Sequence, residues 1–182
     1  MKAPIALGVA AAIVVGILVA VYAGQGRPAP TSFKCAATEN NIEGPYYRPG
    51  APAWKAPDDA GEKLAVSGKV MDQDCNPIPR AVIDFWQADA GGNYDGEGYN
   101  LRGKVTAGAD GAYHLDTIVP GKYEPRPRHI HAKVWVNENE LLTTQLYIVD
   151  NDRDQYVKDS LIMHPVRQNG TLAATFDFVV IR

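Results

Sequence analysis

Short apolar runs separated by glycine- and proline-rich turns dominate the sequence from residue 63 to the C-terminus. Several of these runs alternate apolar and polar positions, which is the period of a β-strand that buries one face. This region contains no internal repeat and no run with the apolar spacing of an amphipathic helix. Many short strands joined by such turns predict an all-β fold, either a β-sandwich or an open barrel. The predicted strands span residues 64–72, 81–90, 112–119, 129–136, 141–149 and 174–181.

Residues 35–62 differ from the strand region because they are rich in turn-forming residues and show no periodicity. A segment of this kind does not supply a regular strand or helix of its own. We therefore predict that it forms an irregular, ordered arm that lies over the core.

The N-terminus is of a different kind again. Residues 3–23 carry no charge and are strongly apolar. As a helix this run would be about 30 Å long, which matches the hydrocarbon thickness of a bilayer. Two interpretations stay open, an uncleaved membrane anchor and a signal peptide, since Val21 and Ala23 fit a small-residue cleavage pattern. A buried helix of a soluble domain is less favoured because the flanking segment resembles a linker.

This run sets the predicted domain organisation and location. Residues 1–23 are the signal peptide or anchor, 24–34 the linker and 35–182 the single folded domain. The positively charged start of the chain stays in the cytoplasm, so the folded domain is expected to be exported. It would then be held at the membrane only through the N-terminal helix, or be secreted or periplasmic after cleavage.

Export bears on the two cysteines, Cys35 and Cys75, which are the only ones in the chain. An oxidising compartment permits a disulfide between them, and the bond would close a loop of about 40 residues. Two free thiols are the alternative that the sequence leaves open. No Cys-x-x-Cys motif is present to indicate a zinc or redox site.

The composition limits the classes of partner. The chain has 182 residues, of which 46% are hydrophobic and 21% charged, with a net charge of −3. Such values are typical of one globular domain with a short extension. No basic block or arginine-rich face is present, so a nucleic-acid partner is not expected.

Two histidines carry the first sign of chemistry. His129 and His131 stand two apart in a predicted strand, so their side chains project from one face while Ile130 and Ala132 take the other. Paired imidazoles on a rigid strand are half of a metal site. The alternative is a solvent-facing pair on an amphipathic strand.

Two tyrosines in turns extend this pattern. Tyr94 follows the strand 81–90 in a turn with three nearby glycines, and Tyr123 ends a Pro-Gly-Lys-Tyr turn six residues before His129. A single tyrosine in such a turn is more often a surface or packing residue. The position of these phenols in the sequence does not by itself assign them a chemical role.

Several motifs, in order, resemble the intradiol ring-cleavage dioxygenases, in particular the protocatechuate and catechol dioxygenases. They cover most of the chain from Cys35 onward, and they read EGPYY at 43–47, SGKVMDQDCNPIPRAVIDFWQADAGGNY at 67–94, LRGKVTAGADGAYHLDTIVPGKY at 101–123, RPRHIH at 126–131 and LTTQLY at 142–147. The resemblance implies a transthyretin-like β-sandwich and an enzyme that cleaves a catecholic ring between its hydroxylated carbons with O2. The oligomeric state stays open, although a homo-oligomer is compatible with the family.

The resemblance also implies the cofactor, a non-haem Fe(III) ion. Its four protein ligands fall on Tyr94, Tyr123, His129 and His131. Two tyrosinates and one hydroxide would balance the three positive charges, and a coordinated cation strongly lowers the pKa of a phenol. Tyr123 is implied to be the ligand that leaves and takes a proton when the substrate binds.

Further residues are implied to contact the substrate. Arg126 corresponds to the arginine beside the aromatic ring, and Gln145 to a glutamine that assists it. Tyr46 and Gly44 fall on the arm that borders the pocket. Arg128 is a second candidate cation, but strand alternation from His129 places it on the opposite face, so Arg126 is preferred.

The main rival hypothesis is a metal-free β-sandwich interaction module at the cell surface, because the stretch from 63 to 119 suits many sandwiches. A zinc or copper enzyme that uses the same histidines would need a carboxylate or a third histidine. The acidic residues Asp150, Asp152 and Asp154 lack the glycine and terminal glutamate of a calcium loop, so they predict a solvated turn.

Overall fold

The predicted site residues lie on a framework of β-strands and on the turns between them. The structure is a computed structural model that describes residues 34–58 and 60–182. In these residues the regular elements are nine strands and one short 3-10 helix, Asp159–Leu161. The strands are β1 Lys63–Asp72, β2 Val82–Gln87, β3 Arg102–Thr106, β4 Ala112–Ile118, β5 Arg128–Val136, β6 Asn139–Ile148, β7 Val166–Gln168, β8 Thr171–Thr175 and β9 Phe178–Val180.

The all-β prediction is therefore confirmed for this part of the chain. The predicted N-terminal helix, the linker and the choice between anchor and signal peptide fall on residues outside the described ones, so they stay predictions. Within 34–58 and 60–182, no helix has the length and apolar character needed to cross a membrane.

The strands form two sheets that face each other as a sandwich. One sheet has the order β3-β2-β5-β6, with all neighbours antiparallel. The other has the order β4-β1-β8-β7, with β9 pairing along a further part of β1. Apolar side chains from both sheets meet in one buried cluster. In β2 and β5 the core takes every second residue, Ile83 and Phe85 from β2 and Ile130, Ala132 and Val134 from β5.

The predicted strand 174–181 is interrupted in the structure. Its first residues end β8 and its last residues form β9, and both strands run parallel to β1 at successive positions. At the break, the Phe176 carbonyl lies so close to Gly68 that a Cβ there would stand 1.9 Å from its oxygen. The Asp177 side chain accepts a hydrogen bond from the Lys69 amide, so this β1 amide is paired in the gap between β8 and β9.

The arm crosses the outer face of the β3-β2-β5-β6 sheet. Its backbone bonds to strand edges, with the Asn41 amide donating to Thr143 and the Trp54 amide donating to Lys104. Between these anchors it is irregular, apart from an isolated bridge at Ala53. The arm therefore covers the part of this outer face that carries His129 and His131, both of which are buried.

A disulfide joins Cys35 to Cys75, which settles the alternative that the sequence left open. The bond links the start of the arm to the turn between β1 and β2. Amide groups of Lys34 and Cys35 also donate to the Gln73 carbonyl in that turn. The arm is thus fixed at its N-terminal end by a covalent bond and two hydrogen bonds.

Replacing both cysteines by serine is expected to lower the free energy of unfolding by about 4 kcal/mol, because the cross-link closes a loop with a sequence separation of 40. Guanidinium unfolding followed by circular dichroism measures this loss. The wild-type protein in excess reductant serves as the control and should lose the same amount. A loss below about 1 kcal/mol would show that the closed loop contributes little.

Candidate metal centre

Strand β5 presents two buried imidazoles on the outer face of its sheet. His129 and His131 are only 4% and 2% exposed, while Ile130 and Ala132 point into the core. The alternation predicted for the strand therefore holds. The alternative of a solvent-facing pair is wrong, because the arm and the tyrosine turns cover both rings.

Tyr94 completes a compact triangle of donor atoms with the two histidines. Its phenol oxygen lies 3.2 Å from Nε2 of His129 and 3.0 Å from Nε2 of His131, and the two Nε2 atoms are 3.1 Å apart. Ligands about 2.1 Å from one metal ion and at right angles to each other lie about 3.0 Å apart. The three atoms therefore have the spacing of three adjacent ligands of one ion.

Hydrogen bonding prepares His129 to bind a cation. Its Nδ1 lies 2.7 Å from the Pro127 carbonyl oxygen, which can only accept, so Nδ1 carries the proton. Burial lowers the pKa of His129 to about 4, so the ring is neutral at neutral pH and Nε2 keeps its lone pair. A second lone-pair atom 3.1 Å away is unfavourable without a positive charge between them.

The same environment disfavours charge on the other two donors when no cation is present. Burial lowers the pKa of His131 well below its ordinary value and raises the pKa of the Tyr94 phenol. Nearby guanidinium groups of Arg126 and Arg102 favour the Tyr94 phenolate but do not offset burial. Two neutral imidazoles and a phenol that ionises beside a cation are a donor set suited to a metal ion.

Glycines bring the two tyrosine turns together. Gly92 has φ +87°, and a Cβ on it would lie 2.1 Å from the Lys122 carbonyl oxygen. Across the same contact, a Cβ on Gly121 would lie 2.3 Å from the Gly92 nitrogen. The Gly121 amide donates to the Asp89 carbonyl at 2.7 Å. The backbones that carry Tyr94 and Tyr123 thus touch at positions where only glycine fits.

The substitution Gly92→Ala is expected to lower the free energy of unfolding by about 2–3 kcal/mol and to reduce metal content, because it forces the tyrosine turns apart. Gly96→Ala is a matched control in the same turn, since nothing lies within 4 Å of its added methyl group. Denaturant unfolding and metal analysis of both variants provide the measurement. Equal behaviour of the two variants would rule out the backbone contact as a determinant of the site.

Tyr123 lies beside the triangle and bonds to the arm. Its hydroxyl accepts a hydrogen bond from the Tyr46 hydroxyl at 2.8 Å, and its ring meets the Tyr94 ring edge-on at 5.8 Å. Tyr46 stacks on Tyr94 with ring centres 4.3 Å apart. Among the described residues no hydrogen bond joins Tyr123 to either histidine. The four predicted ligands are therefore gathered in one cluster, with three donor atoms in mutual contact and the fourth held by Tyr46.

The arm and β2 enclose His131 from two sides. Gly44, with φ +74°, passes so close that a Cβ on it would lie 3.3 Å from the His131 ring. Trp86 stacks on the other side of the imidazole at 4.6 Å with the planes 7° apart. These contacts leave the ring little freedom to turn, so its Nε2 is held toward the other donors.

Arg126 and Gln145 lie together beside the histidines. Nη2 of Arg126 donates to the Gln145 side-chain oxygen at 2.8 Å and to the Tyr147 hydroxyl at 3.0 Å. Gln145, fully buried opposite His131 on β6, donates to the Ile42 carbonyl of the arm at 2.7 Å. The Arg126 charge reaches the centre, since it contributes to the lowered pKa of both histidines.

Arg128 is directed elsewhere. Its guanidinium pairs with Asp150 at 2.7 Å at the exposed edge of the sheet, and Asp150 is 66% exposed. The structure therefore places Arg126, and not Arg128, next to the donor cluster.

Sequence reasoning missed the group that fixes Arg126. Its Nε donates to Asp154, a side chain that is only 16% exposed, and its guanidinium lies 4.8 Å from the ring centre of Tyr156. Asp152 pairs in the same way with Lys122 at 2.8 Å. The prediction of a solvated turn holds for Asp150, which is exposed, but not for Asp154, which is largely buried against Arg126. All three aspartates form ion pairs with the segment that carries Tyr123 and Arg126. The spacing of the three aspartates at every second residue is visible in the sequence, but it does not show which basic residues they pair with.

Within residues 34–58 and 60–182, no three His, Cys, Asp or Glu side chains converge on a common point. A zinc or copper site that needs a carboxylate or a third histidine therefore finds no such ligand near the two imidazoles. Phenol oxygens are the groups that complete the donor set.

Comparisons with known proteins agree with this geometry. The sequence profile of the family described as Dioxygenase matches residues 42–180. The 6-chlorohydroxyquinol 1,2-dioxygenase of Cupriavidus pinatubonensis is 33% identical over an alignment 177 positions long, which covers 79% of this chain and 64% of that protein. This chain thus spans less than two thirds of that relative's length.

Two solved structures share the fold. The dioxygenase domain of a dioxygenase carbohydrate-binding protein fusion from Streptomyces sp. SirexAA-E is 39% identical, with a TM-score of 0.75, and the match covers 80% of this chain and 98% of that one. For 3-chlorocatechol 1,2-dioxygenase from Rhodococcus opacus 1CP the identity is 28% and the TM-score 0.74, with 91% and 77% covered. The chain belongs to the intradiol ring-cleaving dioxygenase family.

Proposed function

We propose that this protein is an Fe(III) dioxygenase that cleaves a catecholic aromatic between its two hydroxylated carbons. The observation that carries the proposal is the donor triangle of Tyr94, His129 and His131, with edges of 3.0–3.2 Å, in a chain of this family. The rival hypothesis of a metal-free interaction module gives no reason to bury two neutral imidazoles against a phenol.

The donor types favour ferric iron. Phenolate is a hard, anionic ligand that suits a hard trivalent cation, and imidazole suits iron as well as zinc and copper. Tyr94, His129 and His131 would hold the ion, with Tyr123 as the fourth ligand implied by the resemblance. When bound, the ferric ion would supply Lewis acidity that activates a catecholate ring for reaction with O2.

The chain's own residues would manage protons around this ion. The Tyr46 hydroxyl donates to the Tyr123 oxygen at 2.8 Å, so a partner that stabilises Tyr123 away from the ion is already in place. Tyr123 in its phenolate form is a base within the cluster, and it can take one proton from an incoming catechol. Tyr46 would then keep the released phenol bound to the arm.

Arg126 would act as a fixed cation beside the reacting ring. Its guanidinium is held by Asp154, Gln145 and Tyr147, so it needs no rearrangement when negative charge develops on the substrate. Gln145 would link Arg126 to the arm, because its side-chain oxygen accepts from Arg126 and its side-chain nitrogen donates to the Ile42 carbonyl.

A cavity lies beside the residues that hold Arg126. Its volume is about 280 Å³, and it is lined by residues 40–42 of the arm and by Gln155, Tyr156 and Lys158. Tyr156 lies against Arg126, and Ile42 bonds to Gln145. None of the four proposed metal ligands lines this cavity, so it would take the part of a substrate that extends past Arg126 and away from the ion. Relatives named for chlorocatechol and chlorohydroxyquinol make small halogenated or hydroxylated catechols the first compounds to test.

Oxygen uptake with product analysis tests the proposal. The iron-loaded protein is given catechol, 4-chlorocatechol or hydroxyquinol under ¹⁸O2. We expect one O2 consumed per ring and a cis,cis-muconate-type diacid that carries both labelled atoms. The Tyr94→Phe variant should give neither. Cleavage outside the two hydroxylated carbons, or no uptake by protein with full iron content, would contradict the proposal.

We also propose that the folded domain works outside the cytoplasm. The Cys35–Cys75 disulfide supports this, because such bonds persist in oxidising compartments, and so does the apolar run at 3–23. Fractionation of cells that express the full chain is the test. Recovery of the protein in the cytosol, with both thiols reduced, would contradict an exported location.

A further inference from the structure

A second cavity lies on the same outer face of the β3-β2-β5-β6 sheet, at the end remote from the metal centre. Its volume is about 520 Å³, within the range of roughly 300–1,000 Å³ typical of small-molecule sites. Trp135, in its lining, is four residues along β5 from His131, which corresponds to about 13 Å. Trp86 separates the nearer part of the lining from the metal centre, because it stacks on His131 at 4.6 Å and packs against Tyr47 of the cavity at 4.9 Å. The cavity is therefore a separate site.

A buried carboxylate forms part of the cavity lining. Asp84 on β2 is 2% exposed, and its one hydrogen bond among the described residues comes from the Tyr47 hydroxyl at 3.3 Å. This distance is longer than the usual 2.5–3.0 Å of an O–H···O bond. An ionised carboxylate can accept about four hydrogen bonds, so most of this capacity is unused. Burial raises the pKa of this carboxyl, and the nearby Lys104 ammonium opposes that shift.

Donors without partners lie around the carboxylate. Lys104 is directly opposite Asp84 in the β2–β3 register, and Arg80 lines the same cavity. In the described part of the chain, neither side chain makes a hydrogen bond or an ion pair within 4 Å. The indole nitrogen of Trp135 is also buried without a partner. Buried polar groups are rarely left unpaired, and in this cavity Asp84 is the buried group with unused capacity. Arg80 is exposed and Lys104 half-buried, so both side chains are free to turn toward a ligand that Asp84 binds.

The mixture of groups indicates the class of ligand. Two acids, Asp84 and Glu138, and two bases, Arg80 and Lys104, line the cavity, so neither sign of charge dominates and a neutral molecule is favoured. The Asp84 carboxylate is a strong acceptor that lies beside the donors Lys104 and Arg80. This arrangement suits hydroxyl groups, because each hydroxyl both donates and accepts a hydrogen bond. Aromatic rings in the lining, such as Trp135, favour a ring over an open chain.

We propose that this cavity binds a ring with vicinal hydroxyl groups, either a sugar or a second catechol-like ring. Asp84 accepts hydrogen bonds from the hydroxyls, while Lys104 and Arg80 donate to their oxygens. The site does not depend on iron or on ring cleavage. Its role would be to hold the protein, or a larger substrate, through a hydroxylated ring away from the metal centre.

The indole proton of Trp135 provides the readout. The chain has three tryptophans, and Trp54 is an internal reference because its indole bonds to the Asp116 carbonyl on the other sheet. The whole protein, labelled with ¹⁵N-tryptophan and loaded with iron, is titrated under argon with cellobiose and, separately, with 4-methylcatechol. The Trp135 signal should shift and saturate with a Kd of about 1 mM for at least one probe, while Trp54 stays in place.

Variants of the cavity residues test whether the probe binds at Asp84. Asp84→Asn should weaken binding by about tenfold or more, because a charged acceptor is lost. Asp74→Asn, an exposed acid in the β1–β2 turn, is the matched control and should leave the affinity unchanged. If Asp84→Asn fails to fold, Lys104→Met at the rim replaces it, with the same expectation.

Every outcome decides the proposal. Saturation with cellobiose alone identifies a saccharide site, saturation with 4-methylcatechol alone identifies a phenol site, and either result supports the proposal. No saturable shift up to about 20 mM of either probe overturns it, since this is far above a millimolar Kd. Wild-type affinity for the probe in the Asp84→Asn variant also overturns it. So does a Trp135 shift that depends on protein concentration in the absence of a probe, because that would mean that a second copy of the chain fills the cavity.

Discussion

Replacing Tyr94 by phenylalanine is expected to abolish iron binding while the fold is retained. The change removes one oxygen atom from the donor triangle and leaves the ring, which stacks on Tyr46, in place. The two Nε2 atoms of His129 and His131 then stand 3.1 Å apart without the phenolate oxygen in contact with both, and Tyr123 is left as the one proposed anionic ligand for a trivalent ion. Iron per protein, measured after reconstitution and gel filtration, should fall from about one to near zero.

The control for this experiment is Tyr99→Phe. Tyr99 is exposed, and its hydroxyl donates to the Pro49 carbonyl at 2.9 Å in the neighbouring turn. This variant should bind iron like the wild type, and circular dichroism should show the same β-structure for both. If Tyr94→Phe retained a full equivalent of iron with unchanged spectral properties, the phenol would not be a ligand.

Replacing Arg126 by alanine is expected to separate catalysis from metal binding. Arg126 contacts Asp154, Gln145 and Tyr147, but it is not one of the donor atoms. Iron content and visible absorption should therefore be unchanged. Turnover of catechol should fall by about 10²- to 10³-fold, the usual loss when one preorganised charge-stabilising group is removed.

Two further variants test the cause of this loss. Arg128→Ala removes a guanidinium of the same segment that pairs with the exposed Asp150, and it should change turnover by less than about threefold. Asp154→Asn keeps Arg126 but frees it, so it should lower kcat by about tenfold without loss of iron. An Arg126→Ala protein with wild-type kcat would show that the fixed cation has no part in the reaction.

Most of the fold could be predicted from residue alternation. In β5, apolar residues at 130, 132 and 134 alternate with polar or aromatic ones, and the structure assigns these two sets to opposite faces. Strand β3 was missed because its sequence, RGKVT, has no apolar run, and it is stabilised by pairing with β2. The short β7 has three exposed residues and owes its strand form to β8.

The candidate site could be predicted only in part. The pair His129 and His131 follows from strand geometry alone, whereas the meeting of Tyr94 and Tyr123 depends on a backbone contact between Gly92 and Gly121 that local sequence does not show. The resemblance supplied the expected ligands. It did not supply the bond from Tyr46 to Tyr123, which is visible only in three dimensions.

The same limit applies to charge. The ion pairs of Asp150, Asp152 and Asp154 join segments more than 20 residues apart, so a local pattern gives no sign of them. Their effect is to bind the loop after β6 to the segment that carries Tyr123 and Arg126. The position of Arg126, the proposed catalytic cation, is thus determined by residues that a motif search leaves out.

The visible absorption spectrum of the purified protein after reconstitution with ferric iron tests the central claim most directly. A tyrosinate bound to Fe(III) absorbs strongly in the visible, so one equivalent of iron should turn the wild-type protein red, and the Tyr94→Phe variant should stay colourless. A wild-type protein that binds a full equivalent of ferric iron at the His129 and His131 pair and remains colourless would contradict the tyrosinate centre.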